Sequence, residues 1–173
     1  MEDVKIMFAD EARFGRISSV HKCWVRGERP VVYSQVVREY TYAYSAVCPF
    51  DGTMDSLIIN GVNSEYMSIF LDEVGNRHTD KTIIMFADRA SWHTSGILKI
   101  PNNIVLLPLP SHSPQLNPVE NIWHELREKW FYNHTFGSLT EVEDRLMIAL
   151  KAFENDIDSV KSTTAFHWIN TVI

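Results

Sequence analysis

The sequence lacks the features that mark a membrane-spanning or exported protein. No window of its 173 residues approaches the roughly 18 uninterrupted apolar residues that a membrane span requires. The opening residues, MEDVKIMFADEARF, carry acids where a signal peptide carries a basic region. The only cysteines are Cys23 and Cys48, and they form no metal-type pair. We therefore expect reduced thiols in a cytoplasmic protein.

Basic residues are scarce for a protein whose main task is to bind nucleic acid. Lys and Arg number 16 against 22 Asp and Glu, for a net charge of −6. Phosphate binding requires cations in excess, so the composition argues against a dedicated nucleic-acid-binding protein. It still permits an enzyme that acts on nucleic acid and leaves most of the binding to another domain.

Hydrophobic patterning predicts an α/β fold. Continuous apolar runs predict buried strands at 4–9, 82–87 and 103–107. Alternating patterns predict strands with one solvent-facing side at 20–26 and 39–48, and another strand is predicted at 56–60. One-face spacing predicts helices after the N-cap Asn63, at 118–131 and at 139–154. We expect a mixed central sheet flanked by helices in one domain over residues 1–155, with 156–173 as a tail docked on it.

One string of five residues occurs twice, as IMFAD at 6–10 and again at 84–88. The segments that follow, EARFGRISS and RASWHTSGI, share no pattern, which excludes an internal repeat. A single Asp at the end of a strand is usually a turn or cap residue. If the two strands are parallel neighbours, however, Asp10 and Asp88 converge at one edge of the sheet. Two converging carboxylates require a cation or a shared proton.

A third carboxylate, Glu120, allows two interpretations. Asn117 is a good N-cap, Pro118 suits the first helical position, and Glu120 falls where a capping box places its acid. Glu120 also lies about 100° from the centre of the apolar stripe of its helix, so its side chain can face a cleft. The spacing alone leaves both interpretations open.

The chemistry of such a triad points to a hard metal ion. Three carboxylates without a His or Cys cluster suit Mg²⁺ or Mn²⁺ and not zinc. Two ions about 3.5–4 Å apart could activate a water or a 3′-hydroxyl and stabilise the leaving oxygen of a phosphodiester. His93, five residues after Asp88, is expected to be a hydrogen-bonding loop residue.

The segments around these acids resemble the DDE transposases of bacterial insertion sequences in the mariner-related superfamily. The resemblance covers residues 8–154 and rests on FADEARFG, WVRGERP, IIMFADRASWH and, most specifically, LLPLPSHSPQLNPVENIWHELREKW. It implies a ribonuclease-H-like fold in which the catalytic, metal-binding residues are Asp10 on the first strand, Asp88 on the fourth strand and Glu120 on a later helix. The two IMFAD runs would then be adjacent core strands.

The resemblance also implies an activity and its partners. The family cleaves DNA at element ends and joins the 3′-hydroxyl to target DNA, using Mg²⁺, with Mn²⁺ as a substitute and two ions in the site. Asp10 and Asp88 would share the metals, and Glu120 would hold the second ion. Members usually act as homodimers on paired ends and carry an N-terminal helix-turn-helix DNA-binding region. That region is absent from these residues, so we expect it to have been trimmed away or to be encoded in a separate reading frame.

Several positions bear on how far the resemblance holds. Arg89 follows the second Asp where Asn is common, His112 replaces a common aromatic residue, and the 31 residues between Asp88 and Glu120 are slightly fewer than usual. Trp24, Gly27 and Pro30 match the family pattern and are expected to form a strand and turn. Basic residues that could contact phosphates, although each alone is typical of a solvated surface, are Arg13, Arg16, Arg26, Arg29 and Lys129.

Two alternative functions stay open at this point. One is a metal-dependent nuclease of the same fold that cleaves DNA without strand transfer. The other is a non-catalytic DNA-end-binding or dimerisation module that remains from a degraded element.

Overall fold

The computed structural model describes residues 3–28, 31–93, 96–111 and 113–170. The strands are β1 (Val4–Ile17), β2 (Val36–Val47), β3 (Met54–Ile59), β4 (Thr82–Ala87) and β5 (Ile104–Pro108). The α-helices are α1 (Ser64–Arg77), α2 (Val119–Trp130), α3 (Leu139–Glu154), α4 (Ile157–Thr164) and α5 (His167–Asn170), and a 3₁₀ turn spans Pro114–Leu116. None of the described helices combines the length and apolar character that a bilayer crossing requires.

The strands form one mixed sheet in the order β3-β2-β1-β4-β5. β2 pairs antiparallel with both β1 and β3, whereas β4 pairs parallel with β1 and β5. Helices lie on both faces, because alternate residues of the central strands are apolar on both sides. The predicted α/β fold with a mixed central sheet is confirmed.

The two faces of the sheet carry separate hydrophobic cores. On one face, α1 packs its buried side chains, such as Phe70 and Leu71, against Met7 and Met85 of the central strands. Asn63 begins this helix by accepting the backbone N–H of Tyr66 at 2.8 Å, as its predicted N-cap role requires. On the other face, the larger core gathers α2, α3, α4 and α5 over β1 and β2.

β1 is longer than the sequence pattern indicates. The prediction ended this strand before Asp10, but the structure continues it to Ile17. The reason is that β2 pairs with β1 from Phe8 to Ile17, whereas the parallel pairing with β4 ends at Phe8. Asp10 therefore lies within a strand, just past the point where its neighbour β4 stops.

The strand predicted at 20–26 is wrong. These residues form an irregular and exposed link between β1 and β2, and the side chain of Trp24 is fully exposed. No strand among the described residues pairs with this segment. An alternation of polar and apolar residues does not by itself provide a pairing partner. Gly27 does occupy a bend, with a φ of 104°, but Arg29 and Pro30 lie outside the described residues.

The C-terminal segment forms helices that the sequence pattern did not indicate. Val160 and Thr164 of α4 and Ile169 of α5 are buried, and the two apolar residues belong to the same core as α2 and α3. α4 also closes over the turn between β2 and β3. Gly52 in that turn has a φ of 78°, and a Cβ there would lie 2.6 Å from the Ile157 carbonyl oxygen.

Asp51 fastens the same turn to β1. Its Oδ1 accepts the backbone N–H of Thr53 at 2.8 Å, and its Oδ2 accepts the Lys5 ammonium at 2.5 Å. Burial opposes ionisation, but the hydrogen bonds from Lys5 and Thr53 outweigh it and hold the pKa of Asp51 well below its usual range. The carboxylate therefore stabilises the folded state above the ordinary Asp pKa of about 3.9, and this contribution is lost as the pH falls below that value.

We expect Asp51→Asn to lower the free energy of unfolding at pH 7 by about 0.5–1 kcal/mol, a range typical of a partly exposed ion pair. Urea unfolding at pH 7, 5 and 3 would measure it, and the difference from the wild type should shrink at pH 3. Asp80→Asn is the control, because the side chain of Asp80 is 76% exposed and its Lys81 contact is 3.6 Å long. An equal penalty for Asp51→Asn at pH 3 and pH 7 would contradict the electrostatic origin.

Candidate active site

The two IMFAD strings lie side by side in the sheet, in register. Ile6 pairs with Ile84, Met7 with Met85 and Phe8 with Phe86 in the parallel ladder of β1 and β4. The two Phe rings stack with their centroids 5.3 Å apart. Because both strands run in the same direction, the Asp residues that follow reach the same edge of the sheet.

All three predicted carboxylates line one cleft at this edge. The cleft has a volume of about 370 Å³ and includes Asp10, Asp88 and Glu120. Its walls also include Arg89 after β4 and the segment that leads from β5 to α2. The sequence prediction that these acids converge agrees with this arrangement.

Asn117 fixes the start of α2 against β1. Its buried side-chain amide donates to the Ala9 carbonyl at 2.9 Å, and its Oδ1 accepts the N–H of Val119 at 3.2 Å. The backbone N–H of Asn117 donates to the Pro114 carbonyl at 2.9 Å, so the reciprocal bond of a capping box is not made. The Glu120 side chain is exposed at the cleft instead.

Asp10 is held by a tryptophan of the core. The indole N–H of Trp123 donates to Asp10 Oδ2 at 2.9 Å, although Trp123 itself is only 1% exposed. Burial, together with the negative charges of Glu120 and Glu11, raises the pKa of Asp10 to about 8. The spacing of apolar residues on α2 indicates Trp123 as a core residue and gives no sign of this polar contact.

Asp88 is held by a buried histidine. Asp88 Oδ1 accepts the N–H of Ala90 at 2.9 Å and forms an ion pair with His93 Nδ1 at 2.8 Å, while the Nδ1–H of His93 donates to the Asp88 carbonyl at 3.0 Å. The opposite ring nitrogen of His93 donates to Glu11 Oε1 at 2.7 Å. Burial opposes protonation, but hydrogen bonds to Asp88 and Glu11 raise the pKa of His93 to about 10, so the ring is an imidazolium at neutral pH.

Glu11 is the residue of this arrangement that the sequence motifs missed. Its side chain is 6% exposed and also accepts the indole N–H of Trp92 at 3.4 Å. Adjacent residues of a strand point to opposite faces, so Glu11 lies on the α1 side while Asp10 lies on the α2 side. An acid inside a strand that is otherwise apolar was the available signal, because such an acid requires a buried partner.

Arg89 places a positive charge on the wall of the cleft. Its Nε donates to the Leu109 carbonyl at 3.0 Å, which fixes the stem of the guanidinium group between the ends of β4 and β5. The second departure from the family pattern, His112, lies outside the described residues. Lys129 is paired with Glu125 at 2.7 Å on the exposed side of α2.

The donor set fits a hard divalent cation by its chemistry. Asp10 and Asp88 each direct one oxygen to a protein hydrogen bond, which leaves the second oxygen of each carboxylate for another ligand. Burial, followed by the negative charges of Glu120 and Glu11, raises the pKa of Asp10, and a cation bound beside it would favour the ionised carboxylate. Within the described ranges, no three His, Cys, Asp or Glu side chains lie close enough to hold a metal ion by themselves.

The His93 bridge yields a prediction about stability. His93→Ala should lower the free energy of unfolding by about 3–5 kcal/mol, because it leaves the buried Glu11 carboxylate without a positively charged partner. Urea unfolding followed by circular dichroism would measure the change. His124→Ala, at a side chain that is 67% exposed, should change stability by less than about 0.5 kcal/mol.

A double variant tests the pairing itself. Glu11→Ala combined with His93→Ala should cost less than the sum of the two single changes, by at least about 1 kcal/mol. Additive costs would show that the two side chains do not stabilise the fold as a pair.

Comparison with known proteins places this chain in a family. A family model described as DDE superfamily endonuclease matches residues 5–143. The uncharacterized protein y4pE/y4sA of Sinorhizobium fredii is 36% identical over 104 residues, which cover 60% of this chain and 77% of that protein.

Solved structures of Mos1 share the fold. The Mos1 mariner paired-end complex with Mn has a TM-score of 0.64 and 17% identity, over 92% of this chain and 53% of that chain. The Mos1 strand transfer complex has a TM-score of 0.58 and 14% identity, over 94% of this chain and 55% of that chain. This chain therefore spans about half the length of the Mos1 chains. The likeness confirms the ribonuclease-H-like fold, and the family match over most of the chain shows that it belongs to the DDE superfamily of endonucleases.

Proposed function

We propose that this chain is the catalytic domain of a transposase that cleaves DNA at element ends and joins the 3′-hydroxyl to target DNA. The observation that carries the proposal is the in-register pairing of the two IMFAD strands, which directs Asp10 and Asp88 into one cleft with Glu120. Family membership supports the nuclease chemistry, and the Mos1 complexes, whose names describe paired ends and strand transfer, support the transposase assignment.

Asp10, Asp88 and Glu120 are the residues that would hold the metal, as Mg²⁺ or Mn²⁺, with two ions in the complete site. Mos1 paired-end complexes were solved with each of these metals, which supports the choice. When bound, the ions would activate the attacking water or 3′-hydroxyl and stabilise the leaving oxygen.

The residues around the acids would orient them for this task. Trp123 holds one oxygen of Asp10, and His93 with the N–H of Ala90 holds one oxygen of Asp88. Each carboxylate is thereby fixed in rotation and turns its second oxygen towards incoming ligands. Arg89 would contact the phosphate beside the carboxylates, because its guanidinium group lines the cleft and, among the described residues, forms a hydrogen bond only from Nε.

The partners proposed for the complete protein are DNA ends, target DNA and a second copy of the chain. Recognition of the ends would belong to a helix-turn-helix region outside these 173 residues, which agrees with the net charge of −6.

Asp10→Asn, Asp88→Asn and Glu120→Gln should each reduce metal-dependent cleavage of DNA by at least about 100-fold, because each removes a charged ligand from the site. Cleavage of a duplex with a free 3′ end, in Mg²⁺ and in Mn²⁺, would measure it. Glu128→Gln is the matched control, since this acid lies on α2 with its side chain 61% exposed. Cleavage that survives Asp88→Asn would exclude the assignment.

Binding of manganese gives an independent result. Crystals soaked in Mn²⁺ with DNA should show anomalous peaks about 2.0–2.3 Å from oxygens of Asp10 and Asp88. No peaks and no cleavage would favour the non-catalytic remnant of an element. Cleavage without joined products, when a pre-cut 3′ end and target DNA are supplied, would favour a nuclease that lacks strand transfer.

A further inference from the structure

The hydrogen-bonded ladder between β1 and β4 ends before the two strands reach their aspartates. Its last pair is Phe8 with Phe86, and each Phe lies two residues before its Asp, Asp10 on β1 and Asp88 after β4. The next carbonyl on β1, that of Ala9, accepts a side-chain amide from the start of α2 instead. The separation of the two acids is therefore not fixed by strand pairing at the cleft itself.

Glu11 joins the two chain segments beyond that point. Its Oε1 accepts the Nε2–H of His93 at 2.7 Å and the indole N–H of Trp92 at 3.4 Å, and both rings belong to the segment that follows β4. The side chains of Glu11 and His93 are only 6% and 2% exposed, and a hydrogen bond that is shielded from water is strengthened. Because Glu11 is the residue after Asp10, this contact also holds the part of β1 that carries Asp10.

The segment from Asp88 to His93 is a closed turn. Nδ1 of His93 lies 3.0 Å from the Asp88 carbonyl oxygen and 2.8 Å from Asp88 Oδ1, so one ring atom contacts both the backbone and the side chain of the aspartate. The N–H of His93 donates to the Ala90 carbonyl at 3.0 Å. Ser64, at the start of α1, donates its hydroxyl to the Trp92 carbonyl at 3.1 Å. A displacement of His93 would therefore displace Asp88 with it.

Glu11 and His93 thus form a cross-link between the two acids. It runs along the backbone from Asp10 to Glu11, across to the imidazole of His93 and on to Asp88. Neither Glu11 nor His93 is among the residues that line the carboxylate cleft. The cross-link can therefore act on a ligand in the cleft only through the aspartates that it holds.

The separation of two carboxylates affects different cations to different degrees. Mg²⁺ requires near-ideal octahedral geometry with oxygens at about 2.0–2.1 Å, whereas Ca²⁺ accepts flexible arrangements of oxygens at about 2.3–2.6 Å. A pair of acids that is no longer held at one separation would therefore lose more affinity for Mg²⁺ than for Ca²⁺. Residues behind metal ligands commonly change metal affinity by about 10–100-fold.

We infer that Glu11 is a positioning residue that, through His93, fixes the separation of Asp10 and Asp88 and thereby makes the cleft selective for Mg²⁺ over Ca²⁺. The inference rests on the proposed function for the use of a metal ion in this cleft, but it concerns binding and requires no cleavage. A negative charge at residue 11 alone would attract both ions alike. A hydrogen-bonded cross-link discriminates between them.

The test measures binding of Mn²⁺ to the protein by electron paramagnetic resonance, and then displacement of Mn²⁺ by Mg²⁺ or Ca²⁺. Asp88→Asn defines the Mn²⁺ that binds outside the cleft. Glu11→Ala should weaken Mg²⁺ binding by about tenfold or more and Ca²⁺ binding by about threefold or less. Glu11→Gln keeps an oxygen that accepts from the His93 and Trp92 rings, so both affinities should stay within about threefold of the wild type.

Asp55→Ala is the matched control. Asp55 is 8% exposed and pairs with His78 at 2.7 Å, so it also belongs to a buried carboxylate–histidine pair, but it does not line the cleft. Its loss costs stability for the same reason and should leave the ratio of the Mg²⁺ and Ca²⁺ affinities unchanged. Thermal melting of each variant verifies that it is folded at the temperature of the measurement.

A double variant tests the route through the histidine. Glu11→Ala combined with His93→Ala should weaken Mg²⁺ binding no further than His93→Ala alone, because Glu11 acts through His93. Additive losses of Mg²⁺ affinity would contradict this route.

Three other outcomes would overturn the inference. Equal losses of Mg²⁺ and Ca²⁺ affinity, the same in Glu11→Ala and Glu11→Gln, would show that Glu11 acts only by its charge. An unchanged ratio of the two affinities in Glu11→Ala would also exclude the positioning role. So would a wild-type protein that binds no more Mn²⁺ than Asp88→Asn does.

The binding and cleavage results separate the two proposals. A lower ratio of Mg²⁺ to Ca²⁺ affinity in Glu11→Ala, in a chain that never cleaves DNA, would support the role of Glu11 and contradict the proposed function. Metal-dependent cleavage that Asp88→Asn abolishes, with an unaltered ratio in Glu11→Ala, would do the reverse.

Discussion

The arrangement of the molecule depends on the parallel pairing of β1 with β4. Two identical apolar strings lie against each other in register, so each buried position on one strand has the same side chain beside it on the next. This pairing joins the antiparallel half of the sheet to its parallel half and separates the two cores. Because the two strands are parallel and in register, Asp10 and Asp88, which follow the two apolar runs, reach the same edge of the sheet.

Ionised carboxylates that lie close together repel each other. The residues around them reduce this repulsion in different ways on the two faces of the sheet. On the α2 face, burial and the charges of Glu120 and Glu11 raise the pKa of Asp10 to about 8, and the hydrogen bond from the Trp123 indole opposes this rise. On the α1 face, the His93 imidazolium bridges Asp88 and Glu11, and the pKa of Asp88 falls below its ordinary value. Asp10 and Asp88 end identical IMFAD strings, yet their pKa values shift in opposite directions.

The sequence predicts the parts of this arrangement that depend on local pattern. The apolar runs predicted the bounds of β4 and β5 to within a residue or two. The resemblance to DDE transposases identified Asp10, Asp88 and Glu120 as candidates for one site. The length of β1 was missed because it depends on pairing with β2, and the strand at 20–26 failed because alternation gives no partner. The bridge from Glu11 to His93 was missed for a related reason, since it joins side chains 82 residues apart that share no motif.

The hydrogen bond from Asn117 to the Ala9 carbonyl has an evolutionary consequence. Because this contact and the hydrogen bond from Trp123 to Asp10 tie α2 to β1, the location of Glu120 does not depend on how many residues lead there from Asp88. The intervening loop can gain or lose residues without displacing the acid, provided that the asparagine and the carbonyl still meet. The slightly short interval in this chain accordingly leaves Glu120 at the cleft.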